Sequence, residues 1–167
     1  MTSARGAPIG PSVLPAIGRE QGVTGTVAFR GSFDYSVDDR GRVAIPAKYR
    51  AEFPNSLAVI TPAPEGCLRV FPEAEFQRMS EEVAAVPATT IEGRRLRRLF
   101  DAQAFDAELD RQGRILIPAQ LRHDAGLDGA VVVAGNRECL EIWNPERWRR
   151  EIEGGEPASP AGQRTSE

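Results

Sequence analysis

One stretch of this chain is written twice, and that repetition limits what it can fold into more than any other feature. YSVDDRGRVAIPAKYR, from Tyr35 to Arg50, returns seventy-two positions later as AELDRQGRILIPAQLR, from Ala107 to Arg122. Asp38, Gly41, Arg42, Ile45, Pro46, Ala47 and Arg50 recur as Asp110, Gly113, Arg114, Ile117, Pro118, Ala119 and Arg122. The same spacing predicts an ungapped correspondence onward, with CLRVF from Cys67 on CLEIW from Cys139 and Phe76 on Trp148. A folding unit of roughly fifty residues has been duplicated, so fold and function must be read from a pair of similar units.

Each copy has the same local logic. Phe33, Tyr35 and Val37 alternate with Ser32, Asp34 and Ser36, and Phe105, Ala107 and Leu109 alternate with Asp106 and Glu108; this is the period of a half-buried strand. Val43 to Ile45 and Ile115 to Ile117 make a second short apolar strand in each copy. Between the strands a tight turn is required. Gly41 and Gly113 suit a left-handed backbone position there, and Asp38 and Asp110 can accept bonds from the turn's own N–H groups. Pro46 and Pro118 stand where a short helix would begin, through AKYRAEF and AQLRHDA, the second stopped by Gly126. Arg40 and Arg42 in the first turn, and Arg111 and Arg114 in the second, are thereby presented where long cationic side chains can meet an anionic partner.

Along the chain this gives five segments. Residues 1–27, rich in glycine and proline and without a sustained period, read as a disordered extension. Residues 28–80 form the first unit, with strands at Leu57 to Thr61 and at CLRVF around a PAPEG turn. Residues 81–100 hold linking helices, broken at Pro87. There Leu96, Leu99 and Phe100 share a face, and Arg94, Arg95, Arg97 and Arg98 form a solvated surface that could pair with Glu81 and Glu82. Residues 101–152 repeat the unit, and 153–167 read as a disordered tail. Units this short bury little alone, so the copies are expected to share a core by interleaving strands, and the chain to oligomerise further. The expected fold class is α+β, mostly β with short helices.

The formal net charge of -3 argues at first against a nucleic-acid partner. The tail from Glu151, however, carries four acidic residues against one arginine, which leaves residues 28–150 near neutral with arginines gathered at two turns. Cys67 and Cys139 occupy equivalent strand positions, with no CxxC spacing and a single histidine, His123, in the chain. They read as buried reduced thiols, and no metal site or cofactor is expected. No nucleophile elbow, phosphate loop or paired catalytic carboxylates stand out, so neither an enzyme nor a small-molecule substrate is expected. Prolines and glycines interrupt every apolar run, so no membrane partner is expected either.

At the residues quoted, the chain resembles the MraZ family of bacterial transcription regulators. Its members carry two AbrB-like units, each with an Asp-x-x-Gly-Arg turn followed by an Ile-Pro-Ala type helix start. DDRGR at 38–42, DRQGR at 110–114, AFRG at Ala28 to Gly31, CLRVFP at Cys67 and CLEIWNPERW at Cys139 carry the likeness, over roughly residues 28–152. Residues 1–27 are an addition to the pattern.

The resemblance implies a duplicated swapped-hairpin β-barrel with an intramolecular pseudo-twofold. It also implies closed homo-oligomeric rings, a cytoplasmic and nucleoid-associated location, and binding to short direct repeats in double-stranded promoter DNA. The regulated target it implies is a cell-division and cell-wall gene cluster, which the protein would repress. The DNA contacts carry over to Arg40, Arg42, Arg111 and Arg114, with Asp38, Gly41, Asp110 and Gly113 shaping the turns. Gln112 stands where the first turn has Arg40. Two alternatives remain open: Arg42 and Arg114 could pair with Asp38 and Asp110 to hold the hairpins, and the chain could be a ring-forming assembly module that binds no DNA.

Overall fold

The computed structural model describes residues 28–154. The extension at 1–27, and the tail beyond Gly154, lie outside the described residues. The elements in order are β1 (Ser32–Ser36), β2 (Arg42–Ala44), 3-10 turns at Ala47–Glu52 and Pro54–Ser56, β3 (Leu57–Pro62), β4 (Leu68–Pro72), α1 (Glu73–Ala85) and α2 (Ile91–Asp101). The second unit supplies β5 (Phe105–Glu108), β6 (Arg114–Leu116), α3 (Ala119–Ala125), β7 (Ala130–Asn136), β8 (Cys139–Trp143) and α4 (Pro145–Ile152). Pro46 and Pro118 each fall one residue before the helical turn they introduce. The first of those turns is 3-10, whereas the second is α-helical and stops at Gly126, in the left-handed conformation.

The strands pair across the repeat. Six of them form one antiparallel sheet in the order β1-β7-β8-β4-β3-β5. The first strand of each unit therefore hydrogen-bonds to the third strand of the other, β1 to β7 and β5 to β3. Exchanging the two units reverses this order and leaves it otherwise unchanged, which places a pseudo-twofold between the central strands β4 and β8. The remaining strands, β2 and β6, pair with each other as a separate antiparallel ribbon, Arg42 opposite Leu116 and Ala44 opposite Arg114. The sheet and the ribbon do not join into the closed barrel that the resemblance implied, because β1 and β5 remain the sheet's two edges.

The ungapped correspondence also needs correction. Tyr35 pairs with Val131, while Ala107 pairs with Ala58. The twofold thus matches Ala58 with Val131 and Ile60 with Val133, one position beyond the spacing that holds at the turns. An extra residue before β7 and a shorter β7–β8 connection cancel, so Leu68 and Val70 again match Leu140 and Ile142 at the original spacing. Burial sets this slip. Shifting a strand by one residue would turn its core face to the other side of the sheet, and Ala58, Ile60, Val131 and Val133 all face one core.

That core draws on both units. Val43 and Ile45 of the first and Ile115 and Ile117 of the second are fully buried. They pack with Tyr49, Leu121, Leu68, Val70, Leu140 and Ile142 into a single cluster. Burying each such side chain stabilises by roughly 1.5–3 kcal/mol, and neither copy could collect this alone. The sheet's other face carries two smaller clusters. In one, Trp143 packs on Trp148 of α4 with Ala63, Cys67, Val132 and Ala134. In the other, α1 and α2 cover Phe71 and Cys139, with Phe76 stacked on Phe100 at 4.7 Å. Leu99, assigned to the same face as Leu96 and Phe100, is exposed.

Two features of that second face were not expected. Arg97 donates from Nη2 to the carbonyls of Ala84 (2.9 Å) and Val86 (3.2 Å), capping the end of α1, and it does not pair with Glu81 or Glu82. Glu141 is a buried carboxylate that accepts from Asn136 Nδ2 at 2.8 Å and from Trp143 Nε1 at 3.0 Å.

Candidate nucleic-acid interface

The two turns are built identically from their own residues. Asp38 Oδ1 accepts from the backbone N–H of Arg40 and of Arg42, each at 2.9 Å, and Gly41 N donates to Asp38 O at 3.0 Å. Asp110 repeats this with Gln112 (2.8 Å), Arg114 (3.0 Å) and Gly113 (2.9 Å). Gly41 and Gly113 stand at φ 79° and 74°, which an L side chain resists. These bonds hold both carboxyls below the usual 3.8, led in each case by the N–H of the arginine at the end of the turn.

The strand exchange then brings the turns side by side. Arg42 Nε donates to Asp38 Oδ2 at 2.8 Å, and its Nη1 lies 3.6 Å from Asp110 Oδ2. Arg114 Nε donates to Asp110 Oδ2 at 3.0 Å, and its Nη1 to Asp38 Oδ2 at 3.3 Å. Two arginines and two aspartates thus form a crosswise cluster on the pseudo-twofold. Both arginines are about three-quarters covered, at 24% and 28% side-chain exposure, yet among the described residues no hydrogen bond uses Nη2 of either.

Arg50 and Arg122 were noted in the sequence only as repeated positions, and they complete the arrangement. The guanidinium of Arg122 packs on Gly41, and the side chain of Arg50 packs on Gly113; each thus covers the other unit's turn. Their Nε atoms donate to the carbonyls of Ile117 and Ile45, both at 3.1 Å. Ile45 N in turn donates to Gly113 O at 2.8 Å, and Ile117 N to Gly41 O at 3.0 Å. The recurrence of Arg50 and Arg122 was the signal that could have found this role. What it lacked was the particular pairing of the exchanged strands, which makes the contact cross from one unit to the other.

The expected DNA-contacting residues therefore fall into two kinds. Arg42 and Arg114 are brought together and held by carboxylates. Arg40 and Arg111 are exposed, and among the described residues their side chains make no hydrogen bond or ion pair. Four guanidiniums face three carboxylates here, counting the exposed Asp39, and Arg50 and Arg122 add to the surplus. No helix of the described residues is long and apolar enough to cross a membrane, and no group of three or more His, Cys, Asp or Glu among them is placed to hold a metal.

A pair of exchanged hairpins on an internal twofold, with arginines at both turns, defines a duplicated swapped-hairpin protein. The family model for MraZ protein matches the chain twice, over residues 28–99 and 100–160, so the chain belongs to the MraZ family. It is 46% identical to the transcriptional regulator MraZ of Frankia casuarinae, over 77% of this chain and 89% of that one. It is 41% identical to the protein of that name from Deinococcus radiodurans, over 78% and 92%, and 39% identical to that of Thermomicrobium roseum, over 75% and 87%.

Proposed function

We propose that the chain is a sequence-specific regulator of transcription that binds double-stranded DNA through the β2–β6 ribbon and its two turns. Arg40, Arg42, Arg111 and Arg114 supply the contacts, and Asp38, Gly41, Asp110 and Gly113 shape the surface. One observation carries this reading: strand exchange gathers arginines from both copies on one outward ribbon. A two-stranded ribbon fits the major groove, and guanidinium forks suit phosphates and guanine edges. The names of the relatives favour the same conclusion. A single ribbon offers few phosphate contacts, so useful affinity calls for a homo-oligomeric ring that engages several short direct repeats together. Repression of a cell-division and cell-wall gene cluster that includes its own gene, from a cytoplasmic and nucleoid-associated position, completes the proposal.

One observation favours the rival reading of an assembly module. Arg42 and Arg114 are engaged with Asp38 and Asp110, as hairpin-holding residues would be. The test is a gel-shift salt titration on the DNA upstream of the protein's own gene, with light scattering as the control for assembly. Arg40→Ala/Arg111→Ala is the decisive variant, because among the described residues neither side chain makes a hydrogen bond or ion pair. Losing two phosphate contacts per ribbon should lower the salt slope by about 1.8 for each ribbon bound. Wild-type protein that assembles but binds no upstream fragment would return the chain to the assembly reading.

A further inference from the structure

The ribbon's outward face is not symmetric, although its backbone is. Val43 and Ile115 point into the core, so Arg42, Ala44, Arg114 and Leu116 point out. The arginines are matched by the twofold. The other two positions are not: where the first copy has Ala44, the second has Leu116, an exposed leucine at 57% directly opposite Arg42. Cross-strand partners stand about 5 Å apart at Cβ, so the leucine stands beside that arginine on the outward face. An exposed aliphatic side chain beside a largely covered arginine contributes nothing to the core. Its chemistry does match one feature of the major groove, where thymine alone presents a methyl group.

We propose that Leu116 is a specificity-determining residue that sets its side chain against the C5-methyl of a thymine, so that this pseudo-symmetric ribbon reads an asymmetric, directional site. The inference rests on the DNA-binding reading above and deepens it. Arg42 and Arg114 offer equivalent polar contacts to the two halves of the bound sequence, whereas only the Leu116 side offers an apolar one. A palindromic site would offer Leu116 the same base in either orientation and so would leave the orientation unfixed. A site with thymine on one side only fixes the orientation, as direct repeats require.

The experiment begins with selection of bound duplexes from a random library by the full chain, followed by replacement of each thymine of the selected site with uracil. This substitution deletes the methyl and leaves the pairing edges intact. Wild-type protein should lose about fourfold in affinity at one thymine per ribbon, the value of one buried methyl-sized group, and Leu116→Ala should be indifferent to that replacement while keeping its salt slope. Leu116 is exposed, so its truncation leaves no cavity. A second variant, Ala44→Leu, should select a site that also carries a thymine on the other side, and should lose affinity when that thymine is replaced by uracil. If Leu116→Ala and wild type respond alike to every replacement, this inference fails and the DNA-binding reading stands. If wild type selects no sequence and binds duplex DNA without salt dependence, both fail.

Discussion

Replacing Gly113 with alanine tests the contact that joins the two units most directly. Gly113 stands at φ 74°, where the left-handed backbone costs a residue with a Cβ about 1–2 kcal/mol. The new Cβ would also lie 2.0 Å from Arg50 Nε and 2.4 Å from its Cδ, mid-chain atoms that cannot simply swing aside. Arg50 must withdraw, and it then gives up its 3.1 Å bond to Ile45 O, worth about 0.5–1.5 kcal/mol. The expected loss is about 2–3 kcal/mol. Urea unfolding followed by the fluorescence of Trp143 and Trp148 reads it as a lower midpoint at unchanged slope, at one fixed chain concentration. Repeating the substitution in an Arg50→Ala background should leave only the backbone part, so that the two changes couple by about 1 kcal/mol. Equal cost in both backgrounds would refute the cross-unit packing.

Three further outcomes follow from the same geometry. Asp38 and Asp110 are held below 3.8, so the stability they contribute is complete above that value and is lost as pH falls through their lowered values; an acid titration of unfolding should show that limb flattened in Asp38→Asn/Asp110→Asn. Burial first, and the nearby Glu141 second, push the Cys139 thiol up to about 12 and raise Cys67 as well; neither should react with iodoacetamide at pH 8 in the folded protein, and both should in urea. Glu141→Ala strands the indole N–H of the buried Trp143, whereas the exposed Asn136 amide can turn to water; the one stranded donor should cost about 1–3 kcal/mol, with a shift in tryptophan emission as a second readout.

Much of the local structure was legible in the sequence because it depends on neighbours along the chain. The Asp-x-x-Gly-Arg turns need an acceptor at the first position and a left-handed glycine at the fourth, and both requirements can be read from residue types alone. The same holds for Gly126 closing α3 and for the alternation of β1. The α1 and α2 helices were visible in outline, but not the use of Arg97 to cap α1, since that contact spans a helical hairpin whose geometry no local pattern encodes. Arg42 and Arg114 were placed correctly at the turns. Their partners were only half foreseen, because each also faces the aspartate of the other copy.

The sequence by itself determined that there are two units, that each is a hairpin around a glycine turn, and that the arginines cluster at those turns. All of these follow from repetition, period and local backbone preference. The tertiary structure alone decided which strands pair in the exchange, that β7 slips one residue from its repeat, that Arg50 and Arg122 cross to cover the opposite turn, and that Glu141 is buried beside Trp143. The physical reason is burial. Hairpins this short can cover their apolar faces only against each other, and which residues then meet is set by the packing of the shared core rather than by any residue's neighbours in the chain.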